Sequence, residues 1–186
     1  MLYTFMKLTR FINFIKNIID GNSGIKTLRE VQALPQIVAR IPHAHLTIAG
    51  YGPEEPALRQ LADKLGIAEK VTFLGALPQH SLPELYRRAA VFVAPFVRAR
   101  SGDQEGLPVA LTEAIACGCP VVVGNLPALD DILEASDADL RVDPSDVAAL
   151  GAAVVTTLRN PEESASHASA LRARLVRRLD WDAIAQ

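Results

Sequence analysis

Two short runs, "AVFVAP" at residues 90–95 and "PVVVG" at residues 120–124, carry no polar side chain at any position. A strand with one wet face alternates apolar and polar residues. A strand that is apolar throughout needs cover on both faces. That condition is met when crossover helices pack on either side of a parallel sheet. These two runs restrict the fold more than any other feature of the chain.

The remaining pattern agrees. "TLREVQALPQIVARI" reads as a helix with Leu28, Val31, Val38 and Ile41 on one stripe, bent or restarted at Pro35. "HLTIAG" reads as a short strand. "EPALRQLADKLG" is a helix with Leu58, Leu61, Ala62 and Leu65 on one face and Gly66 at its end. "VTFLG" is the next strand, and Ser81 with Glu84 forms a capping-box pattern that starts a helix through "ELYRRAA". Beyond Gly124 the pattern predicts a short helix around "LPALDDIL", a strand at "DLRVD", and helices over residues 145–158 and 162–179. Strand and helix alternate with short joins, so the fold class is α/β, a doubly wound, Rossmann-like parallel sheet. At 186 residues the chain holds one well-packed domain.

Residues 1–23 stand apart in composition and hold three of the six phenylalanines. Phe5, Leu8, Ile12, Ile15 and Ile19 fall at helical spacing. An amphipathic helix on a membrane or partner is one reading, and a packing segment or leader is the preferred one. Lys7, Arg10 and Lys16 interrupt any signal-peptide core. The domain itself is read over residues 24–186. A net charge of -2 gives no electrostatic reason to expect nucleic acid. Cys117 and Cys119 suit neither a disulfide framework nor a zinc site, so a reducing, cytoplasmic compartment is expected.

In an open parallel sheet, ligands sit outside the carboxyl ends of the strands. The polar stretch after "AVFVAP" leaves one such end and leads to Glu105, Gly106, Leu107, Pro108 and Val109. Pro108 suits a first helical turn, and Gly106 lets a ligand approach the backbone. The amides around residues 106–109 then form a positive helix end suited to a diphosphate. Glu113 lies eight residues beyond Glu105, inside the helix. A carboxylate can accept two hydrogen bonds from a vicinal diol. Glu113 can therefore reach a ribose, and Glu105 a sugar beyond the phosphates; each such bond is worth about 1.5–3 kcal/mol. Alternatively, Glu105 favours the helix dipole and Glu113 is solvated. Spacing alone leaves both open.

"EGLPVALTEAIACGCPVVVG" resembles the Glu-x7-Glu motif of the family 4 glycosyltransferases, which have the GT-B fold. The likeness extends through "LTIAGYGPEEPALRQLADKLGIAEKVTFLGALP", "LPELYRRAAVFVAP" and "LDWDAIA", over roughly residues 24–182. It implies one half of a GT-B fold, the nucleotide-sugar-binding C-terminal domain. By resemblance, Glu113 binds the donor ribose and Glu105 the donor sugar, the latter as the catalytic-site acid. Gly106, Leu107, Pro108 and Val109 would hold sugar and phosphate oxygens through their backbone, and Ala76 and Leu77 would lie near the base. The implied chemistry is transfer of a hexosyl unit from a nucleotide-diphosphate sugar with retention, with no metal and no cofactor.

The family's Arg and Lys that neutralise the diphosphate are missing. Their positions fall near Ile18, Asn22 and Ser23, and Lys16 and Lys26 are out of register. The N-terminal, acceptor-binding domain of a GT-B enzyme is expected as a missing partner, leaving the chain poorly active alone. A non-catalytic nucleotide-sugar-binding or assembly module pairing with a separate chain is the alternative.

Other motifs carry less. "AGYGPEE" lacks the third glycine of a dinucleotide turn, and His43, His45, His80 and His167 are scattered and read as non-catalytic. Arg172, Arg174, Arg177 and Arg178 suit a helix C-terminus. They leave open a weak membrane association, peripheral to the inner face.

Overall fold

The computed structural model describes residues 11–15, 24–94, 109–124, 129–130, 132–143 and 145–179. Its strands are β1 (Phe11–Ile15), β2 (Leu46–Ala49), β3 (Val71–Gly75), β4 (Ala89–Ala94), β5 (Val121–Gly124) and β6 (Arg141–Val142). They pair in parallel in the order β3-β2-β1-β4-β5-β6. This is the doubly wound order, and it reverses direction between β1 and β4. The helices are α1 (Gly24–Arg40), α2 (Glu55–Lys64), α3 (Leu82–Arg88), α4 (Val109–Ala116), α5 (Val147–Arg159) and α6 (Pro161–Arg178).

The unbroken apolar runs are explained by what covers them. All residues of β4 and β5 are buried. On one face Val91, Val93 and Val122 meet Val31, Leu34 and Ile37 of α1, Leu58 of α2, and Leu150 and Val154 of α5. On the other face Phe92, Ala94, Val121 and Val123 meet Tyr86 of α3, Leu111 and Ile115 of α4, and Leu171 and Leu175 of α6. Successive side chains of one strand thus enter opposite cores, as the two-residue repeat of a strand demands.

Two local expectations are corrected, and one of the two alternatives at Pro35 is removed. The helical stripe read through Ile12 and Ile15 is wrong over Phe11–Ile15, which form β1, hydrogen-bonded between β2 and β4 in the middle of the sheet. Two isoleucines three residues apart fit a helix; pairing with two neighbouring strands outweighs that local signal. Phe5, Leu8 and Ile19 lie outside the described residues. The capping box at Ser81 does not form: its hydroxyl donates to the Pro78 carbonyl at 2.7 Å, and Glu84 pairs instead with Arg87 at 3.5 Å. A short 3-10 turn, Gln79–Ser81, precedes α3 and takes the hydroxyl away from the helix start. Finally, α1 runs through Pro35 as one element instead of restarting there.

Other expectations match closely. Gly66 closes α2 with φ +68, and the amides of Gly66 and Ile67 bond back to Asp63 and Ala62. Gly118 does the same for α4 at φ +72, its amide bonding Ile115 and that of Cys119 bonding Ala114. That turn aims the chain from α4 straight into β5. The helix expected around "LPALDDIL" is described only in part; there the amides of Ile132 and Leu133 bond the Leu129 carbonyl.

The arginine stretch of α6 is not uniformly solvent-facing. Arg174 is largely buried and bonds Asp137, itself buried, and Glu134 at 2.9 Å. It ties α6 to the 3-10 turn Ala135–Leu140, so Arg174 is committed to the protein's own carboxylates, not to lipid phosphates. Breaking a buried pair leaves an uncompensated charge. Arg174→Met is therefore expected to cost about 3 kcal/mol in urea denaturation. Glu134→Gln, at a pair whose acid is 63 % exposed, should cost at most about 1 kcal/mol.

Candidate functional site

α4 runs back against the strands, so its first turns lie at the carboxyl edge of the sheet, beside the point where strand order reverses. Val109 opens the helix and is 70 % exposed there. Glu113 follows one turn later. Its neighbours Leu111, Ala114 and Ile115 are anchored in the core and hold the helix against β4 and β5.

The Glu113 carboxylate is held from two sides. Oε1 accepts from Gln79 Nε2 at 2.6 Å, and Oε2 accepts from the Tyr86 hydroxyl at 3.2 Å. Tyr86 is 1 % exposed, its ring edge-on to Phe92 of β4 at 5.7 Å. A buried phenol needs a partner for its O–H, and Glu113 is that partner. Burial foremost, then the charge and hydrogen bond of Glu113, push the phenol's pKa up, so it stays a donor.

Ala76 and Leu77 directly follow β3 at the same edge, and Gln79 lies two residues further on. Gly50 and Gly75 fix the root of this loop: the Gly50 amide donates to the Gly75 carbonyl at 2.8 Å, joining the ends of β2 and β3. Gly50 has φ +125, which glycine adopts without strain. "AGYGPEE" is thus a structural turn at the carboxyl edge of the sheet, with Tyr51 67 % exposed. Gln79 brings the loop carrying Ala76 and Leu77 into contact with Glu113.

Glu105, Gly106, Leu107 and Pro108 lie outside the described residues, as do Ile18, Asn22 and Ser23. Of the anticipated site, Glu113, Val109, Ala76 and Leu77 are described, and all four fall at the carboxyl edge. Gln79 and Tyr86 were missed. A buried tyrosine on a core helix face hints that some acceptor is near, but Glu113 lies 27 residues away. The solvent-facing Gln79, 34 residues from Glu113, gives no signal at all.

The remaining candidates are accounted for locally. Among the described residues, no group of three or more His, Cys, Asp or Glu side chains could hold a metal ion. His45 Nε2 lies 2.7 Å from Thr72 Oγ1; burial and then Lys70 lower its pKa. A cavity of about 480 Å³ lies at the opposite, amino-terminal edge of the sheet, lined by Ile41, His43, Pro120, Thr157 and Glu162. It is remote from Glu113. Among the described residues, no helix is long and apolar enough to cross a membrane.

A carboxylate fixed from the core and reachable from solvent can accept hydrogen bonds from paired hydroxyls. Residues 10–160 match the family described as glycosyl transferases group 1. The chain belongs to that family. A relative from Mycolicibacterium smegmatis, a GDP-mannose-dependent alpha-(1-6)-phosphatidylinositol monomannoside mannosyltransferase, is 36% identical over 137 residues, 73% of this chain and 36% of that protein. Glycogen synthase of Mycobacterium tuberculosis is 32% identical over 155 residues, 83% of this chain and 36% of that protein.

Solved members of the GT-B glycosyltransferases share the fold. Sucrose-phosphate synthase from Thermosynechococcus elongatus superposes with a TM-score of 0.73 at 25% identity, over 95% of this chain and 43% of that one. Anabaena HepE, solved with UDP-glucose, gives 0.76 at 19% identity, over 93% and 45%. This group 1 chain therefore spans 36% of the length of both curated relatives named. Its sheet is the Rossmann-like kind from which GT-B glycosyltransferases are built.

Two buried acids, Tyr86 beneath Glu113 and Cys119 where α4 turns into β5, set an alkaline limit. Burial, then the neighbouring Cys117, pushes the Cys119 thiol from 9.0 up to about 12, and Tyr86 is also raised. Both are favoured neutral in the folded state, so their contribution is complete below their unfolded pKa and is lost as pH climbs toward the folded value. The melting temperature should hold steady up to about pH 9 and fall from there through pH 12. A Cys119→Ala, Tyr86→Phe double variant should show a flatter fall in thermal scans.

Proposed function

We propose that this chain is the donor-binding half of a retaining glycosyltransferase, which moves a hexosyl unit from a nucleoside-diphosphate sugar to a sugar or lipid acceptor. The observation that carries the proposal is the placement of Glu113: one oxygen is braced by the core and the other faces the loop after β3. In this reading Glu113 receives the ribose hydroxyls. Ala76 and Leu77 flank the base. The backbone of Gly106, Leu107, Pro108 and Val109 takes the phosphate oxygens, and Glu105 orients the transferred sugar.

The acceptor hydroxyl attacks the anomeric carbon from the face the diphosphate leaves. The new C–O bond replaces the broken one, and the hydroxyl proton passes to the departing phosphate oxygen. The charge that grows on the diphosphate is where stabilisation matters most. The names of the relatives support transfer from a sugar nucleotide. Their greater length supports an acceptor-binding half supplied from outside these 186 residues. No metal or cofactor is required in this scheme.

A second reading has one observation in its favour. Neither of the two cations that the family sets beside the diphosphate is present near Ile18, Asn22 and Ser23. A non-catalytic nucleotide-sugar-binding or assembly module would not need them. In that case the chain binds donor and pairs with a separate chain without turning it over.

Calorimetry with ADP, GDP, UDP and their sugar conjugates tests the site. Glu113→Ala should weaken binding of the nucleoside diphosphate roughly ten- to hundredfold, the effect of one lost charge-assisted hydrogen bond. Glu105→Ala should weaken binding of the sugar conjugates and leave the free diphosphates unchanged. Equal affinity in wild type and Glu113→Ala removes Glu113 from the ribose role. Robust turnover of a radiolabelled donor by this polypeptide alone would overturn its assignment as a half-site.

A further inference from the structure

Glu113 already has two partners, and they differ in kind. Tyr86 approaches Oε2 from inside the protein. It is 1 % exposed, its ring is packed edge-on against Phe92, and its hydroxyl donates to the carboxylate at 3.2 Å. Gln79 approaches Oε1 from outside. Its side chain is exposed, on the 3-10 turn Gln79–Ser81, yet its amide makes a 2.6 Å bond to the carboxylate. A ribose arriving from solvent meets Oε1 first, because Oε2 is turned toward the core.

Resting on the ribose reading of Glu113, we propose that Gln79 is an intramolecular competitor of the nucleotide. Its side-chain amide holds the place of a ribose hydroxyl on Glu113 and is displaced when nucleotide binds. Tyr86 keeps the carboxylate oriented in both states.

The exchange is balanced chemically. An N–H donor to a carboxylate is replaced by an O–H donor to the same oxygen, so Glu113 is satisfied before, during and after binding. The released glutamine regains solvent and rotamer freedom, and its amide is rehydrated at the surface. What binding loses is the strength of the Gln79 bond, and that loss falls only on ligands whose hydroxyls need Oε1. A ligand without ribose hydroxyls leaves Gln79 in place. Gln79 therefore lowers nucleotide affinity, and it does so through the ribose alone.

The test is calorimetry on the full chain with ADP, GDP and UDP and with their 2′,3′-dideoxy counterparts, for wild type, Gln79→Ala, Tyr86→Phe and Glu113→Ala. Gln79→Ala is expected to tighten the ribonucleotide roughly three- to tenfold, as one competing hydrogen bond disappears, and to leave the dideoxy form unchanged. Tyr86→Phe keeps the ring packing but frees the carboxylate, so it should weaken the ribonucleotide only. Weaker or unchanged ribonucleotide binding by Gln79→Ala, or an equal shift for both forms, overturns the proposal. If Glu113→Ala abolishes the ribo-versus-dideoxy difference while Gln79→Ala is silent, the competitor role fails and the ribose reading stands. If wild type binds none of the three nucleotides, or binds ribo and dideoxy forms alike, both fail together. Should Tyr86→Phe not fold, the surface substitution Gln79→Ala decides the matter alone.

Discussion

Burial of β4 and β5 on both faces is the constraint from which the rest of the molecule follows. Every side chain of these strands is inside. Each buried aliphatic side chain contributes roughly 1.5–3 kcal/mol relative to leaving it in water. Neither core can be removed without exposing half of both strands. The helices must therefore divide between the faces, with α1, α2 and α5 on one and α3, α4 and α6 on the other. Right-handed crossovers between parallel strands give that division.

The division also locates the chemistry. α4 packs between β4 and α6 and ends on the left-handed Gly118, so its other end points to the carboxyl edge of the sheet. α3 lies beside it and brings Tyr86 under Glu113, while the turn before α3 brings Gln79 over it. A surface carboxylate on an isolated helix would sample many rotamers. Here a phenol rooted in the core restricts it, and this is how the hydrophobic face of the sheet comes to orient a polar group at its rim. Arg174 performs a comparable service elsewhere, fastening α6 to the turn that follows β5.

Where the sequence could be read, it was read through strong, short-range signals. The runs "AVFVAP" and "PVVVG", the stripe Leu58, Leu61, Ala62 and the stop at Gly66 each express a rule that acts within a few residues. The failures arise where two rules compete. Ile12 and Ile15 satisfy both a helical stripe and a strand, and only the vacancy between β2 and β4 decides for β1. Ser81 and Glu84 satisfy the spacing of a capping box, but a preceding 3-10 turn offers the hydroxyl a nearer acceptor in Pro78. At the candidate site Glu113 could be named only through the resemblance of its motif, since spacing alone left a solvated acid equally open. Its partners could not, because nothing local links Gln79 or Tyr86 to residue 113.

The sequence alone determined the layer architecture, the ends of most helices and the chemical type of group at the carboxyl edge of the sheet, since each depends on periodicity, on backbone conformation at one glycine, or on the identity of one side chain. The tertiary structure alone decided which strand stands in the middle of the sheet, what Arg174 is paired with, and which donors occupy Glu113. Those are contacts between segments that are separated along the chain, as Gln79 and Glu113 are by 34 residues. Their free energy depends on distance in space, which no stretch of residues encodes until the sheet has brought the segments together.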